Sequence, residues 1–266
     1  MNLVFPKGKK KALTFSYDDG QIFDRRLVSI FKKYGLKATF HLNSGTVGTE
    51  GYIAGEEIPE LYAGMEVAGH TVSHPYLSQR SAAEITAEIW EDRKALERWS
   101  GGFVRGFSYP FGETSERIAG ALENTGMEYA RTVISTGSFA WPENFLYWNP
   151  TCHHNEVTEE LIRHFLCPFA YERNLLFYIW GHSFEFDREQ TWEKFEAVCE
   201  KLSGQEDVWY ATNIQIKDYI TAVRSLIVSA DGRKIYNPSA QSIWVCEDGK
   251  TAEIPGGTAR AFETRS

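Results

Sequence analysis

Cysteine is scarce in this chain. Only four are present, Cys152, Cys167, Cys199 and Cys246, and none forms a CxxC pair. A disulfide scaffold and a thiolate metal site are both disfavoured as organising features, and the four read as reduced, buried thiols. Long apolar runs are missing too. No stretch reaches the roughly 18 apolar residues of a membrane span. The opening Met-Asn-Leu-Val-Phe-Pro-Lys lacks the apolar core of roughly 7–15 residues that a signal peptide carries. The expectation is a cytoplasmic protein with no membrane partner. Basic charge is short: 28 Lys and Arg stand against 36 Asp and Glu, a net charge of −8. The one basic cluster, Lys7 to Lys11, reads as a solvated edge, so no nucleic-acid partner is expected. There is no internal repeat and no low-complexity segment.

Apolar and aromatic residues are plentiful. Across 266 residues, 42% are hydrophobic and 14% aromatic, enough for one sizeable core. Strand-like and helix-like segments alternate. Strands are expected at 12–17, 38–42, 65–68, 104–108, 128–133, 174–180 and 207–212. Helices are expected at 23–34, 56–63, 81–99, 115–124, 159–166, 191–202 and 215–224. The helix from Ser81 carries a capping box with Glu84 and stops at Gly101-Gly102. Such alternation implies right-handed crossovers and a parallel sheet, and about seven units point to a barrel. From Leu226 onward the texture changes to short β-like runs at 226–228, 234–236, 242–245 and 252–254. Asp231-Gly232, Asn237-Pro238 and Asp248-Gly249 supply turns between them. The division expected is a barrel over 1–224 and a small antiparallel tail over 225–266, packed on it.

Four motifs end predicted strands. Asp18-Asp19-Gly20 closes the first, where ligands gather in parallel α/β folds. Gly69-His70-Thr71-Val72-Ser73-His74 follows the third. Two histidines four apart with a strand-end aspartate make a two-nitrogen, one-oxygen set suited to a divalent metal, leaving the adjacent aspartate free to act on water. Phe107-Ser108-Tyr109-Pro110-Phe111-Gly112 ends a further strand. His182 ends Leu176-Phe177-Tyr178-Ile179-Trp180-Gly181-His182, and its ordinary pKa range suits protonation of a leaving group.

In this order the motifs resemble those of the polysaccharide deacetylase family (carbohydrate esterase family four). The family's T-F-D-D-G is similar to Thr14-Phe15-Ser16-Tyr17-Asp18-Asp19-Gly20, with Ser-Tyr as an insertion. Its H-S/T-x-x-H matches His70 to His74 in full, and its late strand ending in histidine matches Leu175 to His182. Its R-x-P-Y/F-G is similar only in part to Ser108-Tyr109-Pro110-Phe111-Gly112. The resemblance spans roughly 12–212. It implies a deformed (β/α) barrel and metal-dependent removal of N- or O-linked acetyl groups from a sugar or oligosaccharide. Asp18 would be the general base and His182 the general acid. Asp19, His70 and His74 would hold one divalent ion, zinc foremost, with cobalt, nickel and manganese as alternatives. The Phe111 backbone N–H would help hold the oxyanion.

Two departures stand out. The family's arginine in the third motif falls on Ser108, so another cation should orient Asp18. Arg131 is chosen and Arg105 is the alternative. The fourth motif, an acid beside a tryptophan, is not intact at Trp148-Asn149-Pro150-Thr151-Cys152-His153-His154. Trp148, His153 and His154 could line the pocket, and the aromatics from Phe139 to Trp148, with Trp180, could stack on sugar rings. Two other readings stay open: hydrolysis of non-peptide C–N bonds in small amides, and a non-catalytic sugar-binding module.

Overall fold

A computed structural model describes residues 2–247 and 249–262. Asp248, half of one expected turn, lies outside them. The strands are β1 (Asn2–Val4), β2 (Lys11–Asp19), β3 (Ala38–Leu42), β4 (Glu66–Gly69), β5 (Gly106–Ser108), β6 (Tyr129–Arg131), β7 (Cys152–His153), β8 (Leu175–His182), β9 (Val208–Tyr210), β10 (Ile227–Val228), β11 (Lys234–Tyr236), β12 (Ile243–Glu247), β13 (Lys250–Ile254) and β14 (Ala259–Ala261). The helices are α1 (Asp24–Lys33), α2 (Ile58–Leu61), α3 (Ala82–Ser100), α4 (Glu116–Asn124), α5 (Glu159–Leu166), α6 (Ser183–Arg188), α7 (Trp192–Leu202) and α8 (Asn213–Arg224).

Eight strands form one parallel sheet in the order β6-β5-β4-β3-β2-β8-β7, with β9 also on β2. The segment from Trp148 to His153 joins its two ends. Trp148 bridges to Arg131, and Cys152 and His153 pair with Ile179 and Trp180 of β8. The expected deformed (β/α) barrel is therefore present. The two-residue β7 was not foreseen, being too short to carry a period.

Strand β2 runs through the centre and is buried almost throughout. Its alternation sorts its side chains by face. Phe15 and Tyr17 pack outward on Phe31 of α1 and Phe195 of α7. Thr14, Ser16 and Asp18 take the other face, and Thr14 Oγ1 donates to Asn213 Oδ1 at 2.8 Å. The barrel interior is correspondingly polar. Glu66 Oε2 accepts from Thr39 Oγ1 at 2.8 Å and Glu66 Oε1 from Tyr129 Oη at 2.8 Å. The helical layer carries the apolar packing instead, which frees the barrel's axis for polar side chains. Helix α3 begins as its sequence directs, with Ser81 N–H donating to Glu84 Oε2 at 2.8 Å, and ends at Gly101, φ 69°.

The tail strands form two three-stranded antiparallel sheets, β10-β11-β14 and β1-β12-β13. The second draws in Asn2–Val4, which the sequence leaves with the barrel. Its register sets Asn2 opposite Cys246 and Val4 opposite Trp244. Tyr219 of α8 ties this sheet to the barrel, since Trp244 N–H donates to Tyr219 Oη at 3.1 Å. The four cysteines are free. No helix among the described residues is long and apolar enough to cross a membrane.

Candidate active site

The motif residues meet at one mouth of the barrel. Parallel register places Asp18 level with His41 on one side and His182 on the other, and Ser108 level with Arg131. The loop after β4 brings His70 and His74 over the same end. One donor atom from each of Asp19, His70 and His74 lies within 4.8 Å of the others. His70 Nε2 is 3.7 Å from Asp19 Oδ1, and the two imidazole rings are 4.7 Å apart at an interplanar angle of 67°.

The surroundings fix how His70 presents itself. Its Nδ1 lies 2.8 Å from the Ser108 carbonyl oxygen, which can only accept, so the Nδ1 proton points there and Nε2 keeps its lone pair. Ser108 Oγ is 2.6 Å from the same nitrogen and donates to Asp18 Oδ1 at 3.2 Å. Burial pushes the His70 pKa down to about 3, so the ring is neutral at ordinary pH. Its backbone is held by Asp92 of α3. Asp92 Oδ2 accepts from His70 N–H at 3.0 Å and Oδ1 from Ser44 N–H at 2.8 Å. Sequence reading missed Asp92. It sits on a helix interior, and only a buried acid on the helix's apolar stripe, beside Ile85, Ile89 and Leu96, could have marked it.

Asp18 is buried, and burial alone would raise its pKa. Arg131, followed by His70, His41 and His182, instead holds the carboxyl well below the usual range. Arg131 is fully buried, donates from its guanidinium to Asp18 Oδ2 and lies over the Trp180 ring at 4.3 Å. Arg105 is elsewhere, bonded to Glu128 and Asp218. Asp19 behaves differently. Burial raises its pKa above the usual value, and the charge of Asp18 adds to that against the pull of His182. Two adjacent carboxyls therefore have opposed proton affinities.

The backbone around the site is unusual. Asp19 (φ 80°), Thr71 (φ 72°), His74 (φ 52°) and Phe111 (φ 57°) are four of the seven left-handed non-glycine residues among those described. Each such conformation costs about 1–3 kcal/mol unless its surroundings enforce it. The Phe111 ring lies 4.5 Å from His74 and stacks on Tyr76 at 3.9 Å, and both outer rings are about half exposed. This exposed pair at the rim was not foreseen.

Trp148, Phe139 and His154 are buried and not exposed at the mouth. Trp148 is 1% exposed, packed among Tyr129, Phe145 and Tyr178. Phe139 is buried against Phe165 and Phe177. Of the aromatics from Phe139 to Trp148, only those two are buried; Trp141, Phe145 and Tyr147 are half-buried, and Trp148 turns inward because it sits where the barrel closes. His154 is also buried, between Tyr17 and Phe186. His153 reaches Glu185, as does His182: His153 Nε2 is 3.0 Å and His182 Nδ1 3.2 Å from Glu185 Oε2.

Residues 6–130 match the family model described as polysaccharide deacetylase. The peptidoglycan-N-acetylglucosamine deacetylase PgdA of Listeria monocytogenes is 28% identical over 135 residues, 49% of this chain and 28% of that protein. The chitooligosaccharide deacetylase of Azorhizobium caulinodans is 35% identical over 65 residues, 24% of this chain and 31% of that protein. The chain thus matches under half the length of these relatives. The Xyl-CE4 domain of a multidomain xylanase from the hindgut metagenome of Trinervitermes trinervoides has the same fold. It superposes with a TM-score of 0.54 at 16% identity, over 80% of this chain and 92% of that one.

Proposed function

Since the chain belongs to the polysaccharide deacetylase family, we propose that it is a metal-dependent hydrolase removing acetyl groups from a sugar or oligosaccharide. One observation carries the reading. A carboxylate held ionised by a buried arginine stands beside a two-histidine, one-carboxylate donor cluster at a single barrel mouth.

The donors fit a divalent metal. Asp19, His70 Nε2 and His74 would hold it, and the bond from His70 Nδ1 to Ser108 leaves the required lone pair free. Zinc suits the set best, and cobalt, nickel or manganese would also bind. Such an ion would polarise the acetyl carbonyl and bring the pKa of water toward about 7. Asp18, kept ionised by Arg131 and aligned by Ser108 Oγ, takes a proton from the attacking water. His182 gives a proton to the departing nitrogen or oxygen, without which an amine leaves poorly. The Phe111 backbone N–H would donate to the developing oxyanion. The Tyr76–Phe111 pair offers the apolar face of a sugar ring a flat surface beside His74.

The test is elemental analysis of purified protein, paired with acetate release from N-acetyl chito-oligosaccharides, peptidoglycan fragments, acetylxylan and small cyclic amides. One bound divalent ion and acetate from a sugar substrate are expected. Turnover of cyclic amides alone would move the activity to small-amide hydrolysis. A metal-free protein that binds sugars without releasing acetate would make it a binding module.

A further inference from the structure

Three donors converge on one oxygen of Glu185. His182 Nδ1 lies 3.2 Å from Oε2, His153 Nε2 3.0 Å, and the His182 backbone N–H 3.1 Å. The other oxygen, Oε1, faces Arg188 at 3.5 Å. Glu185 is one turn into α6 with its side chain 13% exposed, and His153 reaches it from the segment that closes the barrel. The family pattern would put an acid near Trp148, where this chain has none.

The hydrogen-bond roles can be assigned. Asn155 N–H donates to His153 Nδ1 at 3.3 Å. That nitrogen therefore carries the lone pair, and the ring's proton sits on Nε2, facing Glu185. A carboxylate accepts only, so His182 meets it with Nδ1–H. His182 Nε2 is then the one ring nitrogen left to exchange a proton. We infer that Glu185, steadied by His153, is a positioning residue for His182, fixing the tautomer that presents Nε2 and stabilising the ring once protonated. This rests on the role given to His182 above. The charges agree. Burial alone would lower His182, whereas Glu185, Asp18 and Asp19 raise its pKa above the ordinary value. Burial would raise Glu185, whereas His153 and His182 hold it well below the usual range.

Two other accounts are weaker. Glu185 caps α6 through the His182 N–H, but a cap does not require two imidazoles on the same oxygen. A second cation is the stronger rival. Donor atoms of His153, His154 and Glu185 lie within 4.8 Å of one another, and neither ring nitrogen of His154 has a hydrogen-bond partner among the described residues, its Nε2 lying 3.5 Å from Glu185 Oε2. A cation would need the lone pair of His153 Nε2, which is where the Asn155 bond places the proton. The His154 ring is also wedged so tightly that a Cβ on Gly181 would come within 2.0 Å of its Nδ1.

The experiment uses the metal-loaded full chain and the variants Glu185→Gln, His182→Ala and their double. Glu185→Gln should lose at least about tenfold in kcat on an N-acetyl chito-oligosaccharide, and no more than the roughly 10²–10⁴-fold that a general acid contributes. KM should hold, and 4-nitrophenyl acetate, whose leaving group needs no proton, should be nearly unaffected. The double variant should be no slower than His182→Ala. Equal losses on both substrates, or multiplicative losses in the double, would overturn the inference. Imidazole 15N NMR separates its failure from that of the proposed activity. Wild-type His182, when neutral, should carry its proton on Nδ1 whether or not acetate is released, and Glu185→Gln should lose that preference. A neutral Nε2–H tautomer in the wild type would refute the clamp. So would a second ion per chain that disappears in Glu185→Gln.

Discussion

Arg131→Met tests the central electrostatic pair. The substitution keeps an unbranched stem over Trp180 and removes the charge that faces Asp18. In the wild type the Asp18 carboxyl titrates well below its unfolded value of about 3.9. Between those two points the unfolded chain binds the extra proton. Stability from this group is therefore complete above about pH 4 and is lost as pH falls through the folded pKa. Without Arg131, burial dominates. An opposite charge at this range is worth about 1–3 pKa units, each about 1.4 kcal/mol. The Asp18 pKa should then rise above the unfolded value, and the sign reverses, with the folded chain holding the extra proton and stability falling as pH rises.

Breaking one side of a buried pair costs about 3–5 kcal/mol where the remaining charge is forced to stay ionised. The deficit of Arg131→Met against wild type should therefore be largest near pH 8 and shrink toward pH 5. Melting curves across that range measure it. The acidic limb of kcat/KM should move upward by the same shift. In an Asp18→Asn background the pH-dependent part of the deficit should vanish, which assigns it to Asp18 and not to Asp19. A deficit that stays constant with pH, together with an unmoved acidic limb, would refute the pairing as the cause.

The proposed metal site predicts that His70→Ala, His74→Ala leaves a folded protein that binds no ion there. Unchanged metal content by elemental analysis would remove both histidines from the site. Asp18→Asn should keep the ion and lose about 10²–10⁴-fold in turnover, since an amide takes no proton from water. Wild-type rates with full metal would end its role as base. Cutting the chain after Arg224 should lower the melting temperature, because β1 loses its partner β12 and Tyr219 loses Trp244. Unchanged melting with weakened binding to long glycans would make the tail a carbohydrate-binding element.

How much of this could be read from the sequence follows from how far each contact reaches. Seven of the eight barrel strands were legible because each lies in a segment with an apolar or alternating period closed by its own turn residues, which β7 lacks. The metal-type donors were legible because two of them share one five-residue loop and the third ends a strand. Arg131 was harder, lying 113 residues from Asp18. Strand order supplies the link, since β5 and β6 are neighbours and place Arg131 level with Ser108, the position where the family pattern has its arginine. Arg105 comes before β5 begins, at the opposite end, where Glu128 and Asp218 hold it. The pairing of β1 with β12 was invisible, since two short runs at the chain's extremes carry no mutual signal. Glu185 escaped for a different reason. Its role depends on three segments meeting, namely the end of β8, the first turn of α6 and the segment closing the barrel. The same closure turned Trp148 and His154 inward, so the residues nearest the family's fourth motif became core. An acid three residues after His182 then occupies the place beside that histidine.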